Sequence, residues 1–389
     1  MIDPRLEKLA DVIVNYSTRV KKGDVVGIMA ECEARPAVEA VARAVIKAGG
    51  HPITLARNTT FAEALLEHGS DDQLAFVHPV HINFIESVDV QISLWAETNT
   101  KALARHDPAK VALLQKARKP FLATFLERAA KGSLRWCGTM VPTHASAQDA
   151  EMSLRQYEDF VYRAGLLHTD NPAAEWQKIH DRQKRVCEWL TGKRSLRFVA
   201  PARDGHDGTD LTVDVSAATW INCAGHENFP DGEVFAGPTL PPKGLGVEGH
   251  VNYTFPAVYQ GREVVGVRLR FKGGRVVDAS ADKNEEFLIR MLDQDEGARN
   301  LGEIAIGTNY SITEFSRSTL FDEKIGGTFH AAVGAGYPES GSTSQSGLHW
   351  DMVCDLRPGK ARDGSPTPGG TIAADGEVFH RDGRFLVAY

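Results

Sequence analysis

Cysteine is scarce in this sequence. The five that occur, Cys32, Cys137, Cys187, Cys223 and Cys354, are scattered, odd in number and form no C-x-x-C pair. This argues against a disulfide framework or a thiolate zinc site, and a reducing cytoplasm is the expected setting. Long apolar runs are missing too. No stretch approaches the roughly 18–20 apolar residues needed to span a bilayer, so no membrane partner is expected. The opening MIDPRLEKLADVIVNYS is broken by charge every few residues, unlike the apolar core of a secretory signal. Basic excess is also lacking: 44 Lys and Arg face 51 Asp and Glu, a net charge of −7. Nucleic-acid binding, which needs clustered positive charge, is not expected.

What is present is the composition of a globular protein, 42% apolar and 24% charged. At 389 residues the chain exceeds the about 250–300 over which one core usually grows, so two domains are expected. Pro4, then Leu6, Leu9, Ala10, Ile13 and Val14 at helical spacing, predict a first helix. After the turn Lys22-Gly23-Asp24 comes a strand-like run, Val25 to Ala30. A second amphipathic helix, Ala34 to Lys47, stops at Gly49-Gly50 before a strand at Pro52 to Ala56. Strand, helix, glycine stop and strand make a βαβ unit. Val88–Leu94 reads as another interior strand and Val111–Ala117 as a helix, with Phe121–Phe125 and Leu134–Met140 as shorter candidates. Helices near Asp149–Leu166 and Pro172–Leu190 complete this half.

From Ser195 onward alternation replaces helical period, as in Leu211-Thr-Val-Asp-Val, His250-Val-Asn-Tyr-Thr-Phe and Glu263-Val-Val-Gly-Val-Arg-Leu-Arg-Phe. Turn pairs such as Gly273-Gly274 and Asp375-Gly376 separate the runs, and one helix near Asn284–Leu292 interrupts them. The expected fold is an α/β N-terminal domain, residues 1–192, followed by a β-rich α+β domain, residues 193–389.

Gly244-Leu-Gly-Val-Glu-Gly249 matches G-x-G-x-x-G, which binds a dinucleotide only where it follows a strand and opens a helix. Two prolines precede it and strand-like alternation comes after it, so a loop is expected. A stronger signal is His349-Trp-Asp351: in a strand, residues i and i+2 share a face, so imidazole and carboxylate can converge on one ion. Such pairs also occur as a strand-edge histidine bonded to its neighbour. Glu233 stands in Pro-Asp-Gly-Glu-Val-Phe, Glu303 in Leu-Gly-Glu-Ile-Ala-Ile, and His330 in Gly-Gly-Thr-Phe-His-Ala-Ala-Val. An ionised group among apolar neighbours is costly unless paired or metal-bound. Two histidines and three carboxylates suit a pair of divalent cations.

Four segments, NFPDGEVFAGP, LGEIAIGTN, TLFDEKIGGTFHAAVGAGYPESG and SGLHWDMVCDLR, resemble in order the motifs of the thermophilic metallo-aminopeptidase family, the aminopeptidase T and aminopeptidase S type. The opening DPRLEKLADVIVNYSTRVKKGD is similar to that family's N-terminus, so the likeness runs over essentially the whole chain. The resemblance implies metal ligands Glu233, Glu303, His330, His349 and Asp351, and an active-site tyrosine, Tyr337. It further implies a homodimer. The loop Ser340–Gly347 is richer in serine than the family's pattern, which bears on substrate preference and not on the ligands.

The activity implied by this resemblance is that of a cytoplasmic metallo-aminopeptidase acting on peptides with a free N-terminus. It would use two divalent ions (zinc, cobalt or manganese), with Tyr337 as oxyanion donor and Glu303 as proton shuttle. The alternative is a mononuclear non-haem Fe(II) ring-cleaving dioxygenase using His330, His349 and Asp351, since dihydroxypyridine dioxygenases distantly resemble the same family. Glu233 and Glu303 have no task in that scheme.

Overall fold

The computed structural model describes residues 3–103, 105–202, 207–360 and 364–387. Two compact units gather, Met1–Glu175 with Gly225–Pro230, and Trp176–Ala224 with Asp231–Tyr389.

The first unit is α/β. Its sheet is parallel, in the order His51–Arg57, Val25–Glu31, Val90–Trp95, Arg135–Met140 and Asn228–Phe229. The central strands are buried through Val26, Ile28, Val90, Ile92 and Leu94, as near-continuous apolar runs in a parallel sheet require. The first helix, Pro4–Asp11, is capped by the Asp3 carboxylate and passes into a wider π-helical turn at Val12–Ser17. The run Phe121–Phe125 lies within a helix, Lys119–Ala130, none of whose residues is buried.

The second unit is β-rich. An eight-stranded sheet runs in the order Arg275–Ser280, Arg268–Lys272, Val247–Asn252, Thr209–Asp214, Ser195–Ala200, Thr371–Ala374, Glu377–Arg381 and Arg384–Phe385. Gly244–Gly249 runs straight into the strand Val247–Asn252, so no helix N-terminus stands there to receive a phosphate.

A five-stranded sheet in the same unit carries the five predicted metal ligands, in the order His349–Asp355, Thr328–Gly334, Leu301–Gly307, Glu233–Ala236 and Ile221–Cys223, antiparallel throughout. Period-2 alternation gives this sheet two different faces. One face presents Val234, Ile304, Ile306, Phe329, Ala331, Val333, Trp350 and Met352 to a core shared with Leu196, Phe198, Leu211, Val213 and Phe271 of the larger sheet. The Phe198 and Phe329 rings meet there at 4.6 Å. The alternate residues carry the polar groups.

Phe198 is fully buried and stands away from those polar groups. Phe198→Ala is expected to cost about 3–5 kcal/mol of stability through lost transfer energy and the cavity left behind. Denaturant unfolding followed by circular dichroism measures this, and a loss under about 1 kcal/mol would show that the two sheets do not depend on this contact.

Candidate metal centre

Strand register decides which side chains meet. Ala332 pairs with Asp351 and Gly334 with His349; Ala305 pairs with His330, Glu303 with Ala332, and Gly307 with Glu233. Directly paired residues in an antiparallel ladder point to the same side. Glu233, Glu303, His330, His349 and Asp351 therefore share one face, opposite the apolar core. A register shift between Leu301 and Glu303 places the Glu303 carboxylate, a bulge of the kind common beside functional sites. The residues between them on this face, Ala305, Gly307, Ala332 and Gly334, are small, and the Ile325 carbonyl oxygen lies where a Cβ at Gly307 would stand. Gly334 has φ +100°, and a Cβ there would run into the Leu348 carbonyl oxygen, so glycine is required beside His349.

The groups converge tightly. His330 Nε2 lies 3.3 Å from Glu303 Oε1, 3.4 Å from Glu233 Oε2 and 3.8 Å from Asp351 Oδ1. His349 Nε2 lies 3.4 Å from Asp351 Oδ1. Each imidazole is oriented from behind by a carbonyl, which can only accept: His330 Nδ1 donates to Glu323 O at 3.0 Å and His349 Nδ1 to Ala335 O at 2.7 Å. Nε2 is thereby left as the electron-pair donor, the arrangement that fixes tautomer and ring in metal-ligating histidines. The Glu233 backbone carbonyl accepts from Gln183 Nε2 at 2.8 Å. His330 is sealed off at 1% side-chain exposure, whereas His349, at 30%, faces the open side. Tyr337 stands there too, its ring 5.5 Å from that of His349 and 5.6 Å from that of Phe235. A cleft leads away from Asp351 and Glu323 past Val353, Phe315 and Val258 to Arg317.

Three residues that the sequence did not single out belong to the same cluster: Asp231, Glu323 and Lys324. Lys324 Nζ lies 2.5 Å from Glu233 Oε1, 2.7 Å from Glu323 Oε1 and 3.6 Å from Asp231 Oδ1. A signal was available in Asp322-Glu323-Lys324, a charged triplet immediately before an apolar strand.

Electrostatics follow from this crowding. Burial pushes the Glu233 carboxyl above its ordinary value, against the pull of Lys324 and His330. Burial likewise lifts Glu323 to about 8, with Lys324 opposing and Asp351 and Glu233 adding to the rise. Burial alone would lower both histidines. The hydrogen bond to Glu303 and the charges of Glu233, Asp351 and Glu323 instead raise His330 to about 9, and Asp351 raises His349 to about 10. Asp351 is held well below the carboxylate range; burial opposes this, and His349 and His330 prevail. The Tyr337 hydroxyl is raised by burial and by the Glu303 and Asp351 carboxylates, and stays protonated at neutral pH.

The donor set fits divalent cations. Glu233 Oε2, Glu303 Oε2 and Asp351 Oδ1 are buried and have no hydrogen-bond partner, a costly state for polar atoms unless a cation satisfies them. Glu233, Glu303 and His330 have ligand atoms within 4.8 Å of one another, as have Glu323, His330 and Asp351. Carboxylate and imidazole donors suit zinc, cobalt or manganese.

A β-rich unit with imidazole and carboxylate donors gathered on one sheet face is the architecture of a metal-dependent enzyme. The chain belongs to the thermophilic metalloprotease (M29) family, whose model matches residues 2–385, and it is therefore a peptide-bond hydrolase. Aminopeptidase 2 of Geobacillus stearothermophilus is 29% identical over 360 residues, covering 86% of this chain and 84% of that protein. The structure of wild-type AmpT from Thermus thermophilus superposes with a TM-score of 0.81 at 25% identity, covering all of both chains. The 2,5-dihydroxypyridine dioxygenase of Pseudomonas putida KT2440 shares the fold at a TM-score of 0.54 and 14% identity, over 98% of this chain and 97% of that one. That likeness concerns the fold alone.

Both histidines bind protons more tightly in the fold than at their ordinary value of 6.5. Their protonation stabilises the metal-free protein fully below that value, and the contribution is lost as pH rises through about 9 and 10. Metal needs both rings neutral. Loading near pH 7.5 is therefore expected to release the protons of both histidines, together with any held by the raised Glu233 and Glu323 carboxyls, and to tighten as pH rises. Calorimetry in buffers of different ionisation enthalpy counts the protons, and a heat independent of buffer would contradict the assignment.

Proposed function

We propose that this protein is a dinuclear metallo-aminopeptidase that removes the N-terminal residue from peptides with a free α-amine. The observation that carries the reading is the convergence of Glu233, Glu303, His330, His349 and Asp351 on one sheet face, with three buried carboxylate oxygens left without hydrogen-bond partners. We assign these five residues as the ligands.

Charge balance favours two ions. The cluster holds five carboxylates, those of Asp231, Glu233, Glu303, Glu323 and Asp351, against one ammonium, that of Lys324. Two divalent ions neutralise the remaining four charges when the histidines are neutral. A single iron on His330, His349 and Asp351 would leave Glu303 unligated and Glu233 balanced by Lys324 alone, in a buried site where an unpaired charge costs several kcal/mol.

When bound, such ions lower the pKa of water toward about 7 and polarise a carbonyl. The chain's own groups do the rest. Glu303, buried against His330, accepts the proton of the attacking water and delivers it to the leaving amine. Tyr337, protonated and on the open side next to His349, donates a hydrogen bond to the oxyanion that forms as the scissile carbonyl becomes tetrahedral. The cleft past Val353 and Phe315 receives a substrate side chain. A free α-amine offers a nitrogen lone pair that acylation removes, so acylated peptides should be poor substrates.

The protein is proposed to act as a homodimer in the cytoplasm. Phe61, Phe76, Val80, Leu122 and Leu126 of the first unit are all more than half exposed, apolar side chains that a second copy could cover. The cysteines are free thiols, as in a reducing compartment. No helix among the described residues is long and apolar enough to cross a membrane.

Two outcomes are expected. Chelation should abolish hydrolysis of amino-acyl anilides and a divalent metal should restore it, while N-acetylated substrates stay uncleaved with or without metal. Full activity in metal-free protein, or equal cleavage of blocked and free substrates, would contradict the reading. Tyr337→Phe should lower kcat and kcat/KM together by about 10²–10³ with metal content unchanged, the loss typical of one oxyanion donor. A kcat within about threefold of wild type would remove Tyr337 from the chemistry.

A further inference from the structure

Lys324 is the one lysine or arginine buried among the described residues, at 2% exposure, and its ammonium is paired with three carboxylates. The ammonium donates a hydrogen bond to Glu233 Oε1 and lies within ion-pair distance of Glu323 Oε1 and Asp231 Oδ1. The contacts divide the Glu233 carboxylate in two. Oε1 is held by Lys324 at 2.5 Å, while Oε2 lies 3.4 Å from His330 Nε2 and has no hydrogen-bond partner. An oxygen that accepts from an ammonium is the weaker donor to a cation, so Oε2 is the atom better placed to ligate.

The neighbouring residue acts on a second group of the cluster. The Glu323 backbone carbonyl accepts from His330 Nδ1, so the dipeptide Glu323-Lys324 orients both Glu233 and His330, one through a side chain and one through the main chain. The ammonium also occupies a place a further ion would otherwise favour. Cys223, Asp231 and Glu233 have ligand atoms within 4.8 Å of one another, and Lys324 already sits against two of the three.

Resting on the reading of this cluster as a metal centre, we propose that Lys324 is a positioning residue. Its ammonium holds Glu233 Oε1, presents Oε2 alone to the metal centre, and serves as a fixed cation that keeps the Asp231 side of Glu233 closed to a further ion. It touches no substrate and moves no proton. A lysine that merely fills space would leave metal affinity and ligand field unchanged when replaced by a residue of similar volume.

The test compares wild type, Lys324→Met and Lys324→Arg as metal-free proteins titrated with Co²⁺ against a competing chelator. Visible absorption is recorded, and thermal unfolding checks that each is folded. Lys324→Met is expected to bind cobalt about 10–100-fold more weakly, the usual loss when a group that orients a ligand is removed. Its absorption bands should also change as Glu233 is freed to rotate, and Lys324→Arg should recover part of the affinity. Wild-type affinity and spectrum in Lys324→Met would overturn the proposal. Should that variant not fold, the crystal structure of cobalt-loaded wild type decides. Glu233 meeting metal through Oε2 with Oε1 still on Lys324 supports the assignment, and Glu233 chelating through both oxygens overturns it. Wild type that takes up no cobalt would overturn the metal-centre reading itself, and this proposal with it, a result distinct from a defect confined to the variants.

Discussion

Buried like charge is the constraint on which the rest of this structure depends. Glu233, Glu303, Glu323 and Asp351 approach one another around His330 in surroundings almost closed to water. Left alone, such carboxylates repel and are driven toward their neutral forms, as the raised values of Glu233 and Glu323 register. Only a concentrated positive charge makes the arrangement favourable. Lys324 supplies part of it, and in the proposed function divalent cations supply the remainder.

Holding these groups together takes a scaffold that cannot relax. The five-stranded sheet provides one because its other face is committed to a core, with Phe329, Trp350, Ile304 and Ile306 packed among residues of the larger sheet. A slip of one residue in register would send the polar groups into that core and the apolar ones into the site. The cost of either exchange locks the ladder, and the locked ladder sets the geometry of the cluster. Backbone carbonyls at Glu323 and Ala335 then aim the two imidazoles, so little is left to side-chain freedom.

How much of this could be read in the sequence depended on whether the signal was local. His349 and Asp351 were legible because a strand places i and i+2 on one face whatever it pairs with. Glu303 and His330 stood out as lone polar residues in runs that otherwise read as core, and the strands containing them are buried throughout. Tyr337 came from family resemblance alone, since nothing in its immediate context marks a phenol for chemistry. Lys324 and Glu323 were missed because adjacent opposite charges ordinarily indicate a solvated surface. Their burial is tertiary, set by how the chain turns at Gly326-Gly327 into the His330 strand. Phe121–Phe125 is ambiguous for a related reason: a short apolar run does not distinguish strand from helix, and here it is a helix whose Phe121 and Phe125 are half-buried against the Phe84 and Ile85 cluster.

The central claim is that two divalent ions share this one sheet face. Anomalous diffraction at the metal edge, from crystals of the loaded protein, tests it most directly. The account predicts two peaks about 3.5–4 Å apart, as in other paired-metal hydrolases, both within bonding distance of the set Glu233, Glu303, His330, His349 and Asp351. A single peak held by His330, His349 and Asp351, with Glu233 and Glu303 unligated, would contradict it.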